Sequence, residues 1–229
     1  AIREMLKEEN LLPVLLKFLS LTFLLTGLFI YCESFSKSNQ YRRRQNCNGS
    51  IYNCAVCVYN TPKKLLDDCM KSLVSQDYSN FDILIVDNHS TEKETLESLS
   101  YWAENYPHII RIIFKKENKG LHDSRNIAIK NCKGQYVAFV DGDDVIAGNY
   151  LSKLASNVSL RGLIISKIGF KRFSENCSFE HKNIQPSFFD RNESLLRLLT
   201  ERIMPSVWGT LFPVSCFDGF LCSEENGVD

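Results

Sequence analysis

Residues 135–144 read QYVAFVDGDD, and this stretch decides the fold. A short run of apolar, β-branched and aromatic residues stops abruptly at three carboxylates, Asp141, Asp143 and Asp144. An apolar run of this length bounded by turn residues fits a strand covered on both faces. Three other runs have the same form: IYNCAVCVYN at 51–60, FDILIVDN at 81–88 and IIRIIF at 109–114. Helical patterns separate them. Thr61-Pro62 predicts an N-cap followed by proline at the first helical position. After it, Leu65, Leu66, Cys69, Leu73 and Val74 share one helical face. Ser90-Thr91 opens a second helix with Leu96, Leu99 and Trp102 turned inward, and 120–132 forms a third. This alternation predicts an α/β fold: a Rossmann-type, mostly parallel sheet with helices on both faces.

Ligands of such sheets bind outside the carboxyl ends of the strands. The polar strand ends Tyr59-Asn60, Asp87-Asn88 and Asp141-Gly142-Asp143-Asp144 therefore gather on one edge, although the chain separates them widely. Clustered carboxylates repel one another unless a cation neutralises them. Hard oxygen donors select Mn2+ or Mg2+. Such an ion can bridge a diphosphate and offset the charge that builds on it as it leaves. An acidic solvated turn is the alternative for the cluster alone, and its place beside two other polar strand ends favours the site. Asp87 and Asn88 offer a carboxylate and an amide, which can pair with the edge of a pyrimidine. Ser90 and Thr91 suit a cap, and His89 reads as a loop residue.

The remaining chain is less patterned. Residues 148–158 read as a helix, 162–173 (GLIISKIGFKRF) as a strand, and Asp190 to Arg202 as a capped helix. At the other end, residues 11–32 (LLPVLLKFLSLTFLLTGLFIYC) carry one charge, Lys17, and are long enough to span a bilayer. A buried or interfacial helix is the alternative. Arg3 and Lys7 precede this run, and Lys37, Arg42, Arg43 and Arg44 follow it, which puts the C-terminal side in the cytoplasm. The expected organisation is a membrane segment within 1–32, a polar and basic linker at 33–50, and a domain at 51–229. That domain divides into a well-patterned half at 51–150 and a less patterned half at 151–229. The chain starts at Ala1 and stops at Asp229, so it reads as a piece of a longer protein.

Lys+Arg and Asp+Glu both number 27, so the basic excess of a nucleic-acid binder is missing. The nine cysteines are odd in number and irregular in spacing. Cys54 and Cys57 fall in the strand CAVCV, where they read as buried thiols and not as a zinc or redox pair. Unpaired thiols suit a reducing compartment. The glycosylation pattern at Asn88 would place a glycan inside the proposed site, which also favours a cytoplasmic domain on a membrane-associated protein.

Three segments, VYNTPKKLLDDCMKSLVSQDY at 58–78, FDILIVDNHST at 81–91 and KENKGLHDSRNIAIKNCKGQYVAFVDGDD at 116–144, together resemble the N-terminal half of the family 2 glycosyltransferases. The resemblance runs from residue 54 to about 150 and implies the GT-A fold. It implies metal-dependent, inverting transfer from a nucleotide-diphosphate sugar to a glycan or lipid-linked acceptor, as in bacterial polysaccharide synthesis. By this resemblance Val58, Tyr59 and Asn60 line the base pocket. Asp87 and Asn88 match a usual Asp-Asp pair, and Asn88 departs from it, so nucleotides other than UDP stay open. Arg125 lies near the nucleotide or partners Asp87. Asp141, Gly142 and Asp143 match the D-x-D element, with Asp143 as the chief metal ligand and Asp141 toward ribose, phosphate or metal. The base that deprotonates the acceptor falls in SEENGVD, at Asp229, Glu225 or Glu224, or beyond the chain. Trp208 lies near the acceptor sugar or packs in the core. Two other readings stand beside this one: a nucleotidyltransferase, whose Gly-rich first loop is missing here, and a binding fragment without turnover.

Overall fold

The computed structural model describes residues 52–161, 165–169, 171–174, 177–180, 189–200 and 206–219. The expected membrane segment at 11–32, the linker at 33–50 and the base candidates Asp229, Glu225 and Glu224 lie outside the described residues. Among the described residues, no helix is long and apolar enough to cross a membrane.

The chain runs β1 (Tyr52–Val58), α1 (Lys63–Val74), β2 (Phe81–Asp87), α2 (Lys93–Asn105), β3 (Ile110–Phe114), α3 (Gly120–Asn131), β4 (Tyr136–Asp141) and α4 (Tyr150–Arg161). Short strands follow: β5 (Ser166–Lys167), β6 (Lys171–Ser174), β7 (Cys177–Glu180) and β8 (Thr210–Pro213). A 3-10 turn, Val214–Phe217, follows β8. The main sheet has the order β3-β2-β1-β4-β8-β5. β1 pairs in parallel with β2 and β4, and β2 with β3, as helical crossovers require. β8 enters antiparallel between β4 and β5, so the sheet is mixed. The expected single strand at 162–173 is instead two: β5 joins the main sheet and β6 pairs with β7 in a separate ribbon.

Alternation along β1 explains the layers. Tyr52, Cys54, Val56 and Val58 pack into one core with Leu66, Cys69, Met70 and Leu73 of α1 and with Leu151 and Leu154 of α4. The opposite face of the sheet, with buried Ala55, Leu84 and Val86, meets α3, whose Ala128 and Ile129 are buried. Truncating Leu66 or Leu73, both fully buried, to alanine would cost about 2–5 kcal/mol each. Leu65 lies at the margin of the α1 face and is exposed, contrary to expectation.

Two cap expectations also change. α1 starts after Pro62, which occupies the N-cap position itself, and Thr61 provides no cap. α2 begins at Lys93, and its N-cap residue, Glu92, makes no side-chain cap bond. Cys54 and Cys57 form no disulfide; they are three residues apart on a strand and so on opposite faces. Cys69 and Cys132 form none either. Cys216 is disulfide-bonded, unlike the unpaired thiols expected throughout.

The sheets lie in one compact unit, residues 39–184 with 206–222. Helix α5 (Arg191–Leu199) belongs to another unit and is described by itself. Asp190 caps it as expected, its Oδ1 accepting the Glu193 N–H at 2.9 Å.

Candidate active site at the carboxyl edge of the sheet

The register brings the polar strand ends together. Val58 stands opposite Asp87, and Asp87 opposite Phe114. Asp141 stands one residue lower, opposite Cys57. Val58 is buried at 1% exposure, while Tyr59 projects at 50%. Asn60 adopts the left-handed region with φ 47°, which asparagine tolerates better than most residues. Its Oδ1 accepts the N–H groups of Thr91 (2.7 Å) and Glu92 (3.1 Å) at the head of α2, and its Nδ2 donates to Thr91 Oγ1 at 3.2 Å. Its own N–H donates to Ser90 Oγ at 2.9 Å. The head of α2 is therefore tied down from the β1 loop, and Ser90 and Thr91 bind Asn60 instead of capping the helix.

Asp87 is 2% exposed, and both its carboxylate oxygens accept the Ser90 N–H, at 3.1 and 3.3 Å. Asn88 is also buried, and its amide is spent within the protein. Nδ2 donates to Asn118 Oδ1 at 2.6 Å, and Oδ1 accepts from Lys119 N–H at 3.2 Å and from the Lys115 ammonium. Lys115, with 5% side-chain exposure, also pairs with Asp123 at 2.6 Å. This network fixes the β3–α3 loop to the end of β2. Lys115 and Asn118 escaped the sequence reading because nothing in the string KKENKG says which lysine turns inward. The one available signal was their position directly after a strand.

In the acidic cluster, Asp141 pairs with Arg125 at 3.4 Å. Arg125 is thus the partner of Asp141, and the described contacts do not join it to Asp87. Burial pushes the Asp141 carboxyl above the usual range, with Arg125 opposing and Asp143 adding to the rise. Asp144 is raised by burial and then by Asp141 and Asp143. Asp143 is exposed. The Asp144 N–H donates to Asp141 O at 3.0 Å, closing the turn. Gly142 stands in a tight place: a Cβ would lie 3.3 Å from both Cys57 O and Val58 Cγ2, so these neighbours would have to give by a few tenths of an ångström. Beneath the turn, the Cys69 thiol donates to Asp141 O at 3.6 Å, and burial, then the three carboxylates, push its pKa up to about 12. It is a packed thiol and not a nucleophile.

Among the described residues no three His, Cys, Asp or Glu side chains form a ready-made metal cage. The donor set still fits an ion that bridges a diphosphate, because such ions take one or two carboxylates and complete their shell with phosphate oxygens and water. Burial first, and neighbouring carboxylates second, disfavour the charged forms of Asp141 and Asp144, and a bound cation would oppose both effects.

On the far side of β4, Trp208 is partly buried and forms an isolated bridge with Phe139, two residues before Asp141. Sequence reasoning missed Lys167, whose ammonium donates to Ser206 and Thr210 beside this indole.

The model of glycosyl transferase family 2 matches residues 54–219. The Escherichia coli glycosyltransferase YibD is 40% identical over 78 residues, covering 34% of this chain and 22% of that protein. The glycosyltransferase GlyA of Streptococcus pneumoniae is 29% identical over 173 residues, covering 71% of this chain and 24% of that protein. The chain thus spans about a quarter of the length of these relatives or less. S. aureus TarS in complex with UDP superposes with a TM-score of 0.57 at 22% identity, over 73% of this chain and 48% of that one. TarS in complex with UDP-GlcNAc gives 0.56 at 22% identity, over 73% and 46%. The chain belongs to glycosyl transferase family 2 and has the GT-A fold.

Proposed function

We propose that this family 2 glycosyltransferase uses the edge formed by β1, β2 and β4 to hold a nucleotide-diphosphate sugar. The convergence of Val58, Asp87 and Asp141 at one sheet edge carries the reading. The base would sit between the β1 and β2 ends, against Val58, Tyr59 and Asn60, with Asp87 and Asn88 shaping the floor. Asp143 and Asp141 would hold Mn2+ or Mg2+, which when bound offsets charge on the departing diphosphate. Arg125 would orient Asp141 and add positive charge beside the phosphates. Gly142 would let the turn lie close against β1.

The transfer we infer is inverting, to a glycan or lipid-linked acceptor, with Asp229 or Glu225 as base and Trp208 on the acceptor side. Inversion asks for a carboxylate that deprotonates the acceptor hydroxyl, and the acidic tail provides such groups. We also infer that the apolar run at 11–32 holds the protein at a membrane, with the linker at 33–50 and the transferase domain at 51–229 in the cytoplasm. The basic flank of that run supports this orientation.

Titration calorimetry with UDP as probe tests the donor site, since TarS has been solved with UDP. UDP should bind more tightly in Mn2+ than in EDTA, and Asp143→Ala should remove that gain. Equal binding by the variant would sink the metal role. Pyrophosphate release from a nucleoside triphosphate and a sugar phosphate would instead point to nucleotidyl transfer.

A further inference from the structure

Lys167 is a largely buried lysine whose ammonium faces oxygen atoms and no carboxylate among the described residues. It stands opposite Thr210 in the β5–β8 ladder. Nζ lies 2.9 Å from Ser206 Oγ, 2.9 Å from Thr210 Oγ1, 3.0 Å from Ser206 O and 3.4 Å from Trp208 O. The same ammonium sits 5.7 Å from the centroid of the Trp208 ring, within reach of a cation–π attraction. An ammonium has three N–H donors, and the three shorter contacts are enough to use them all. Every acceptor belongs to residues 206–210, the segment that turns through Gly209 (φ 68°) into β8. One side chain on an edge strand therefore gathers a whole turn. Burying a charge is costly unless it is paired or hydrogen-bonded, and among the described residues these oxygen atoms are what compensates Lys167.

We propose that Lys167 is a positioning residue: its ammonium holds the 206–210 segment, and with it the Trp208 indole, beside the carboxyl end of β4. That the indole there meets an acceptor rests on the glycosyltransferase reading above; the clamp itself does not. Burial alone lowers the Lys167 pKa, to about 8. On β8 and in the 206–208 segment the groups facing it are Ser206, Thr210 and Trp208, none of which ionises in that range. On α4, which packs against β5, the buried titratable group is Tyr150, pushed well up by burial. Lys167 should therefore titrate as a single group within hearing of the indole.

The chain has two tryptophans, so Trp102→Phe leaves Trp208 as the reporter. The difference spectrum between the parent chain and its Trp208→Phe variant gives the same signal should Trp102→Phe fold poorly. Trp208 emission should titrate with a midpoint of about 8. Lys167→Met should abolish that titration and raise the acrylamide quenching constant of Trp208 at least about twofold, while UDP affinity in Mn2+ changes by less than about twofold. Thr210→Val, which removes one acceptor of the charged form, should lower the midpoint and raise quenching to a smaller degree. Unchanged quenching and an unchanged pH curve in Lys167→Met would overturn the proposal. So would an unmoved midpoint in Thr210→Val if Lys167→Met did not fold. Failure of UDP to bind the parent chain would strike the donor-site reading alone, because the fluorescence measurements involve no nucleotide.

Discussion

Replacing Asn60 separates two contributions that meet at one residue. Its side chain accepts two N–H groups at the head of α2 and donates to Thr91 Oγ1, while its backbone stands at φ 47°. Asn60→Ala removes the side-chain bonds and places a Cβ-bearing residue without local compensation in the left-handed region. Loss of a cap-like acceptor costs about 1 kcal/mol, and the left-handed conformation costs alanine about 1 kcal/mol more. The sum of about 2 kcal/mol would lower the melting temperature by about 4–8 °C in a domain of this size. Asn60→Gly loses the same bonds but tolerates the conformation, so it should cost about 1 kcal/mol. Asn60→Asp keeps the acceptor, places a negative charge at a helix head, and should stay within about 0.5 kcal/mol of the parent. Urea unfolding followed by far-UV circular dichroism measures all three. If Ala and Gly unfold at the same midpoint, the backbone part of the reasoning fails. If neither differs from the parent, the tie between the β1 and β2 loops contributes nothing. UDP affinity should fall in the same order if this tie sets the wall of the proposed base pocket.

Gly142→Ala should weaken UDP binding severalfold and cost about 1–3 kcal/mol, the usual range for overpacking, since its Cβ would press on Cys57 O and Val58 Cγ2 at 3.3 Å; calorimetry and urea midpoints check both. Lys115→Met should destabilise by about 1–3 kcal/mol, because it strips a partner from both Asp123 and the buried Asn88 amide. Its unfolding midpoint measures this. Asp141 and Asp144 have folded pKa values raised above the unfolded one. Between the unfolded carboxyl pKa and those raised values the folded state holds more protons, so this pair makes stability fall as pH rises through that window. Melting curves without divalent cation from about pH 4 to 7 should show that slope reduced in Asp144→Asn, and a parallel profile would refute it. Arg125→Met should push the Asp141 carboxyl higher still and move the acid limb of Mn2+-dependent UDP binding to higher pH; an unshifted limb would remove Arg125 from the site.

The four parallel strands and their three helices were legible because each buried strand had to be apolar and had to end in polar residues. The D-G-D-D turn was legible for the same reason: charge directly after a buried strand has few places to go. The helix starts were misread at Ser90-Thr91 because a hydroxyl can cap its own helix or accept from a distant loop, and local sequence does not choose. Asn88 reads in the string as a ligand-facing amide, yet Lys115, Lys119 and Asn118 engage it from the next loop.

By itself, then, the sequence determined the α/β class, the order of the first four strands along the chain and the sheet edge where their polar ends gather. Periodicity, burial and turn residues are properties of neighbours in the chain, and they survive in a string of letters. Only the tertiary structure decided that β8 enters antiparallel beside β4, that Arg125 answers Asp141, and that Lys167 grips the turn carrying Trp208. These pairings join residues 16 to 77 positions apart. Packing of the whole sheet selects them, because many alternative partners satisfy the same local chemistry.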